Sequence, residues 1–312
     1  CARIRLGKEL MNYFDAVFWQ VAVIAPKKQA LLVEDFFLNA GALSTYELLY
    51  AEGKTHNLTE ENTTLYFFFE EKFPIHAFTP MALATIGLAE LPFTIAQVEY
   101  ADYLKEFEKS FKAFELTQKT ALVPPWDENN AVLPPHLKSL YLVPGMAFGT
   151  GKHSTTQLMV EFIEETVRPT DTVLDMGTGS GILAIAALLY GAQKAYGFDV
   201  ETLAVESAAA NLELNVQKYN RPFNAHFQKG DFTSLDSILC DKAITVFLAN
   251  ILPNIFEANA TSLKAALYNC RAWALSGIPT AQGDAFSAFL KTITPHPFLT
   301  REKDEWLVVY HR

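Results

Sequence analysis

Residues 173–200 read VLDMGTGSGILAIAALLYGAQKAYGFDV, and their order decides the fold of the larger part of the chain. An apolar strand pattern runs into Asp175. Gly177, Gly179 and Gly181 follow, then an apolar stretch, Ile182–Tyr190, that suits a short buried helix and is too short to cross a bilayer. A second strand pattern then closes on Asp199. Glycines at such a turn let the main chain bend sharply and let a ligand approach without Cβ atoms in its way. The helix start that follows presents unpaired N–H groups, which favour a carboxylate or phosphate. These features predict a nucleoside-like ligand at the carboxyl end of a sheet, with Asp199 accepting from ribose hydroxyls.

Two ligand classes fit the turn. Gly179, Gly181 and Ala184 have the G-x-G-x-x-G/A spacing of a dinucleotide site, so NAD stays open on spacing alone. However, the core is G-x-G-x-G with Asp175 two places before it, and the motif follows a long preceding segment with its own helix. An acidic residue suits a ligand with a cationic amine, such as the methionine part of S-adenosylmethionine, better than a pyrophosphate. Asp175 either faces that amine or caps the glycine turn. A P-loop is excluded, because no G-K-[ST] follows the cluster.

Outward from this unit the alternation continues. Strands are predicted over 172–177, 194–200, 224–231, 243–251, 272–278 and 305–312, with helices over 157–167, 182–190, 202–217, 253–268 and near 285–293. Strands alternating with helices predict a parallel sheet covered on both faces. Before it, residues 116–141 hold Pro124, Pro125, Pro134 and Pro135 and read as a linker. Residues 11–115 read strand, helix, strand, strand, helix, strand, then an amphipathic helix over 101–115. Thr79 is the expected cap of the second helix, with Pro80 at its first position. This βαββαβ order predicts a small α+β ferredoxin-like domain. The Phe-rich LYFFFEE (65–71) is expected in its core. Residues 1–10 read as an extension before Met11.

The formal net charge of −10 argues against non-specific binding of nucleic acid. Cys1, Cys240 and Cys270 form no C-x-x-C pair, which excludes a disulfide framework and a zinc ribbon and fits a reducing compartment, the cytoplasm. No metal site and no membrane span are expected.

A second glycine-rich loop, PGMAFGTGKHSTT (144–156), stands before the first. Together with VLDMGTGSGILAIAALLYGAQKAYGFDV, LANIL, LSGI and the terminal EWLVVYHR, it resembles the PrmA family, bacterial methyltransferases of ribosomal protein L11. The resemblance covers 144–312 and PPW around Trp126; residues 11–115 resemble the family in size and element order. It implies a seven-stranded Rossmann-like class I methyltransferase domain over 142–312 that takes S-adenosylmethionine. It also implies methylation of lysine side chains and an α-amine of ribosomal protein L11, with the N-terminal domain as the substrate-recognition domain. The family's cofactor contacts fall on Thr156, Gly177, Asp199 and Asn250. One departure is YNCRAWALSGI, which lacks the family's glycine pair and predicts a different turn there.

On this reading the first loop, 145–153, folds over the cofactor as a wall or lid; the alternative is a plain connector. Asn250, at the end of an apolar strand, accepts from the attacking amine or caps a turn. His153 acts as general base or packs locally. Phe148 lies on the adenine or a substrate stem, or anchors the loop, and Asp231 approaches the adenine amino group or forms a turn. Two other functions stay open: an N-methyltransferase of another protein or small amine, and a non-catalytic S-adenosylmethionine-binding protein.

Overall fold

The structure is a computed structural model that describes residues 17–42, 44–48, 62–99, 111–143, 151–235, 238 and 243–312. The chain divides into two compact units, with the division between Ser110 and Phe111.

The first unit contains β1 (Val17–Pro26), α1 (Lys27–Asn39), β2 (Ser44–Leu48), β3 (Asn62–Glu70), α2 (Ile75–Thr85) and β4 (Phe93–Glu99). The four strands pair antiparallel in the order β2–β3–β1–β4. Every second residue of β1 from Val21 to Ala25 is buried, as a strand with one covered face requires. Phe67 and Phe69 of β3 join that core, where Phe37 of α1 stacks on Phe67 at 4.4 Å. Helix α2 begins a turn earlier than Thr79. Thr79 lies inside it and donates its hydroxyl to the Ile75 carbonyl at 3.0 Å, and Pro80 is interior. The short apolar turn Ile75–Phe78 carries no capping residue, so the sequence offers no start signal there. The helix predicted over 101–115 lies mostly outside the described residues, which resume at Phe111 with Phe114–Glu115 in a strand.

The second unit opens with a small sheet, β5 (Phe114–Glu115), β6 (Thr120–Val123) and β7 (Lys138–Tyr141). The stretch read as a linker is therefore folded, and its prolines punctuate loops between strands. Its attachment is specific. Tyr141 N donates to Asn215 Oδ1 at 3.1 Å and Val143 N to Asn211 Oδ1 at 2.8 Å, both amides on a buried helix face.

The main elements follow as α3 (Ser154–Thr166), β8 (Thr172–Met176), α4 (Ile182–Leu189), β9 (Lys194–Asp199), α5 (Thr202–Tyr219) and β10 (Ala225–Lys229). Next come β11 (Val246–Asn250), α6 (Pro253–Ala258), α7 (Ala260–Asn269), β12 (Ala272–Pro279), α8 (Gly283–Ile293), β13 (Leu299–Lys303) and β14 (Trp306–His311). The seven strands take the order β10–β9–β8–β11–β12–β14–β13. The sheet is parallel from β10 to β12, but β14 inserts antiparallel beside β12 and pairs antiparallel with β13. The parallel expectation is thus corrected to a mixed sheet. Strand β13 escaped sequence reading because LTREK is a polar edge strand, as an edge open to water favours. Its two-residue turn, Asp304–Glu305, also takes φ of 47° and 67° without glycine. The helix predicted over 253–268 is broken at Asn259.

Every residue of α4 is buried, as an all-apolar helix demands. From β8 the chain builds outward through β9 to β10, then returns to β11 on the other side. That reversal opens a crevice at the carboxyl ends of β8 and β11, where open α/β sheets bind ligands. The turn Asn269–Arg271, where the family's glycine pair is missing, lies at the amino end of β12, away from this crevice. There Arg271 pairs with Asp171 at 2.5 Å and also donates to the Thr166 carbonyl.

Candidate active site

The glycine turn leaves β8 at Gly177, whose φ is +75°. A Cβ there would come within 2.5 Å of the Ile251 Cγ2, so the residue after Asn250 closes directly on this turn. Gly177 N and Thr178 N both donate to the Phe198 carbonyl, at 2.8 and 3.0 Å. Gly179 N donates to Asp199 Oδ2 at 2.9 Å, and Glu201 N donates to Asp199 Oδ1 at 3.0 Å. Asp199 is therefore held at the end of β9 by two backbone donors, and each oxygen keeps a lone pair for a further partner. Gly181 opens α4 in the left-handed region.

Asp175 is fully buried beneath the turn. Its Oδ2 accepts from Thr178 Oγ1 at 2.7 Å and from Ala184 N at 3.3 Å, so it caps the turn and ties it to α4. Its Oδ1 has no partner among the described residues. Burial pushes the carboxyl up to about 7; the two hydrogen bonds oppose this and the charge on Asp199 adds to it. The folded state therefore holds a proton that the unfolded chain releases near its ordinary value of 3.8, and stability falls as pH rises through that window. Asp175→Asn lacks this loss. Its stability relative to the wild type should rise by up to about 1.4 kcal/mol per pH unit between pH 4 and 7. Urea unfolding of both proteins across that range checks it, and parallel curves would show that Asp175 titrates normally.

A second cluster faces the first from the neighbouring strand end. His153 caps α3, its Nδ1 accepting from Thr155 N at 3.4 Å, and the same nitrogen lies 2.7 Å from Thr155 Oγ1. Thr155 Oγ1 in turn lies 3.2 Å from Asn250 Nδ2 at the end of β11. Asn250 Oδ1 is buried with no partner among the described residues. Trp306 meets the His153 ring edge-on at 4.7 Å, and Ser154 Oγ donates to Asp304 Oδ2 at 2.7 Å. Burial lowers His153 to about 4, with Asp304 partly opposing, so the ring is neutral at pH 7 and a weak base. Thr156 is buried one residue further along, its N–H donating to the His153 carbonyl at 3.1 Å.

Among the predicted site residues, Asp175, Gly177, Gly179, Gly181 and Asp199 form the first cluster. His153, Thr156 and Asn250 gather at the second. Asp231 is exposed and caps the short turn Phe232–Ser234, its Oδ1 accepting from Thr233 N at 2.9 Å. Phe148 lies outside the described residues. Sequence reading missed three contributors. Thr155 bridges His153 and Asn250. Asn211 donates to the Ser180 carbonyl at 3.0 Å while accepting from Val143, which joins the glycine turn to the start of the other loop. Gly277, with φ of +85°, allows the Ile251 carbonyl to approach within 2.3 Å of where a Cβ would stand. Asn211 and Asn215, four apart on a buried helix face, were the one legible signal among these.

A mixed seven-stranded sheet of this order, with a left-handed glycine turn leaving β8 and an aspartate ending β9, defines an α/β methyltransferase fold. The chain belongs to the family described as ribosomal protein L11 methyltransferase (PrmA), whose profile matches residues 17–312. It is 34% identical over 206 residues to a protein of Streptococcus uberis named "Ribosomal protein L11 methyltransferase", covering 64% of this chain. It is 36% identical over 205 residues to one of the same name from Burkholderia lata, covering 65%. In both cases the match spans 63% of the relative's length. A solved ribosomal protein L11 methylase from Lactobacillus delbrueckii subsp. bulgaricus superimposes with a TM-score of 0.52 at 29% identity, over 64% of this chain and 97% of that one.

Proposed function

We propose that this protein is an S-adenosylmethionine-dependent N-methyltransferase that modifies lysine side chains, and an α-amine, of ribosomal protein L11. The observation that carries the proposal is Asn250 Oδ1, a buried acceptor without a partner among the described residues, set beside the glycine turn at the carboxyl edge of the sheet. When bound, S-adenosylmethionine supplies a methyl group on a cationic sulfur that leaves as a neutral thioether when an amine lone pair takes the methyl. The residues present suit that ligand. Asp199 offers acceptors to ribose hydroxyls beside the left-handed glycine turn, and Thr156 in the first turn of α3 and Asn250 at the end of β11 close the crevice from the other side. Asp175, fully buried, supports the turn from beneath, and Asp231 borders the site beyond β9.

The substrate amine must be neutral to attack, and losing its proton to solvent suffices once it is held and dehydrated. Asn250 Oδ1 then accepts from an N–H of that amine, which fixes the direction of its lone pair. His153 is too weak a base at about 4 to take the proton; its cap and its bond to Thr155 give it a positioning role.

The division of labour follows the two units. We read the first unit, with its sheet order β2–β3–β1–β4 and its own core, as a ferredoxin-like domain, a reading that suits capture of a protein substrate. The methyltransferase domain takes the rest, together with the folded 116–141 stretch; of the loop read as a wall over the cofactor, 145–153, residues 145–150 lie outside the described residues. No described helix is long and apolar enough to cross a membrane. A cytoplasmic site of action is our reading of the buried free thiol of Cys270.

Asp199→Ala should weaken S-adenosylmethionine binding by about ten- to a hundredfold, the worth of a hydrogen bond to a charged acceptor. Calorimetric titration measures it. Unchanged affinity in a folded variant would remove Asp199 from the site and with it the placing of the ribose.

A further inference from the structure

The cap of α3 at His153, taken with the short His153–Thr155 contact, assigns the hydrogens around Thr155. Nδ1 of His153 accepts from the Thr155 N–H as the cap of α3, so it carries a lone pair and the ring proton sits on Nε2. The same lone-pair nitrogen lies 2.7 Å from Thr155 Oγ1, and two acceptors at that distance require a hydrogen between them. Thr155 must supply it, since Nδ1 has none. A hydroxyl has a single hydrogen, so the Thr155 oxygen, having donated to His153, serves only as an acceptor. The Asn250 amide, 3.2 Å away, must therefore turn its NH2 toward Thr155. Its carbonyl oxygen is left facing away from Thr155, buried and unpartnered among the described residues.

We infer that Thr155 is a positioning residue for methyl transfer: with its hydrogen committed to His153, it holds the Asn250 amide so that the carbonyl oxygen, not the NH2, meets the acceptor amine. The inference rests on the methyl-transfer reading above. The orientation matters because a neutral amine needs its lone pair free to attack. An acceptor oxygen takes one of the amine's N–H groups and leaves the lone pair aimed elsewhere. A flipped amide would present N–H donors to the lone pair itself and compete with the methyl for it. Losing the Thr155 hydroxyl removes the constraint, and the amide can then take either orientation. That loss should appear in the rate of transfer and hardly at all in cofactor affinity.

The test uses the full chain, purified ribosomal protein L11 and methyl-labelled S-adenosylmethionine in single-turnover assays, with calorimetric titration of the cofactor alongside. Thr155→Val keeps the shape and removes the hydroxyl. It should slow transfer by about ten- to a hundredfold while cofactor affinity stays within about threefold. Thr155→Ser, which keeps the hydroxyl, should recover most of the rate. Thr155→Ala carries the same expectation as Thr155→Val and covers the case in which valine packs badly. If Thr155 acts through Asn250, adding Thr155→Val to Asn250→Ala should cause no further slowing. Wild-type rates in Thr155→Val, or an equal slowing in both backgrounds, would overturn the inference while the activity stands. A wild-type chain that transfers no methyl would overturn the activity reading and this one with it.

Discussion

Gly277→Ala should both destabilise the second unit and abolish most methyl transfer, although Gly277 offers no side chain to any ligand. Its φ of +85° already disfavours a side chain, at about 1–2 kcal/mol. More important, the added Cβ would stand 2.3 Å from the Ile251 oxygen and 2.8 Å from its carbonyl carbon. These are main-chain atoms, and Ile251 N is itself tied to the Ser276 carbonyl at 3.1 Å, so no side-chain rotation relieves the clash. The Asn250–Ile251 backbone must move, at a further cost of about 1–3 kcal/mol. The movement shifts Asn250 and lifts Ile251 from Gly177 together. Gly191 is the control, because its φ of +107° carries the same conformational penalty with nothing within 4 Å of a Cβ. Gly191→Ala should lose only the conformational term and stay active. Urea unfolding and transfer assays on the two variants separate strain from displacement, and equal effects would mean that Gly277 does not hold the strand end in place.

The second large effect concerns the first unit. A chain beginning at Phe111 should bind S-adenosylmethionine with about the affinity of the full protein, since every residue proposed to hold the cofactor and the core around Leu174, Phe198, Phe247 and Trp273 lie beyond that point. Methylation of intact ribosomal protein L11 should fall by about a hundredfold or more, because a tethered capture domain raises the effective concentration of the amine at the site. The cut belongs at Phe111 and not after Tyr141. Removing 111–141 would take away β5–β7, strip Asn215 of its partner at Tyr141, and remove the Trp126–Phe111 bond of 2.9 Å. Circular dichroism and cofactor titration establish that the shortened chain folds. Full activity on the protein substrate would mean that the methyltransferase domain recognises its target unaided.

The reach of the sequence follows from what kind of signal each feature leaves. The positions of the glycine turn, Asp199 and Asn250 at strand ends were legible because each follows or closes an apolar strand pattern, and period alone places such ends on one edge of a parallel sheet. The Phe-rich strand β3 was legible as core for the same reason. Strand β13 was not, since an edge strand gains little from apolar residues and Asp304–Glu305 turn without glycine. Prolines 124, 125, 134 and 135 look the same in a free linker as in loops between paired strands. What fastens that stretch are distant side chains that only the fold brings near, among them Glu164 on Thr120, Tyr219 on Ser139 and Asn215 on Tyr141. Thr155 was hidden by its neighbours: in HSTT, two threonines at a helix start read alike. The difference is which way each side chain faces, one toward Asn250 and one into a buried position without that bond.

Intact mass spectrometry of unmethylated ribosomal protein L11, after incubation with the full chain and S-adenosylmethionine, tests the central claim most directly. The expected result is a ladder of added methyl groups on lysine side chains and the α-amine that is absent without cofactor and strongly reduced with Asn250→Ala. An unchanged mass, from a chain that binds the cofactor in the same buffer, would contradict it.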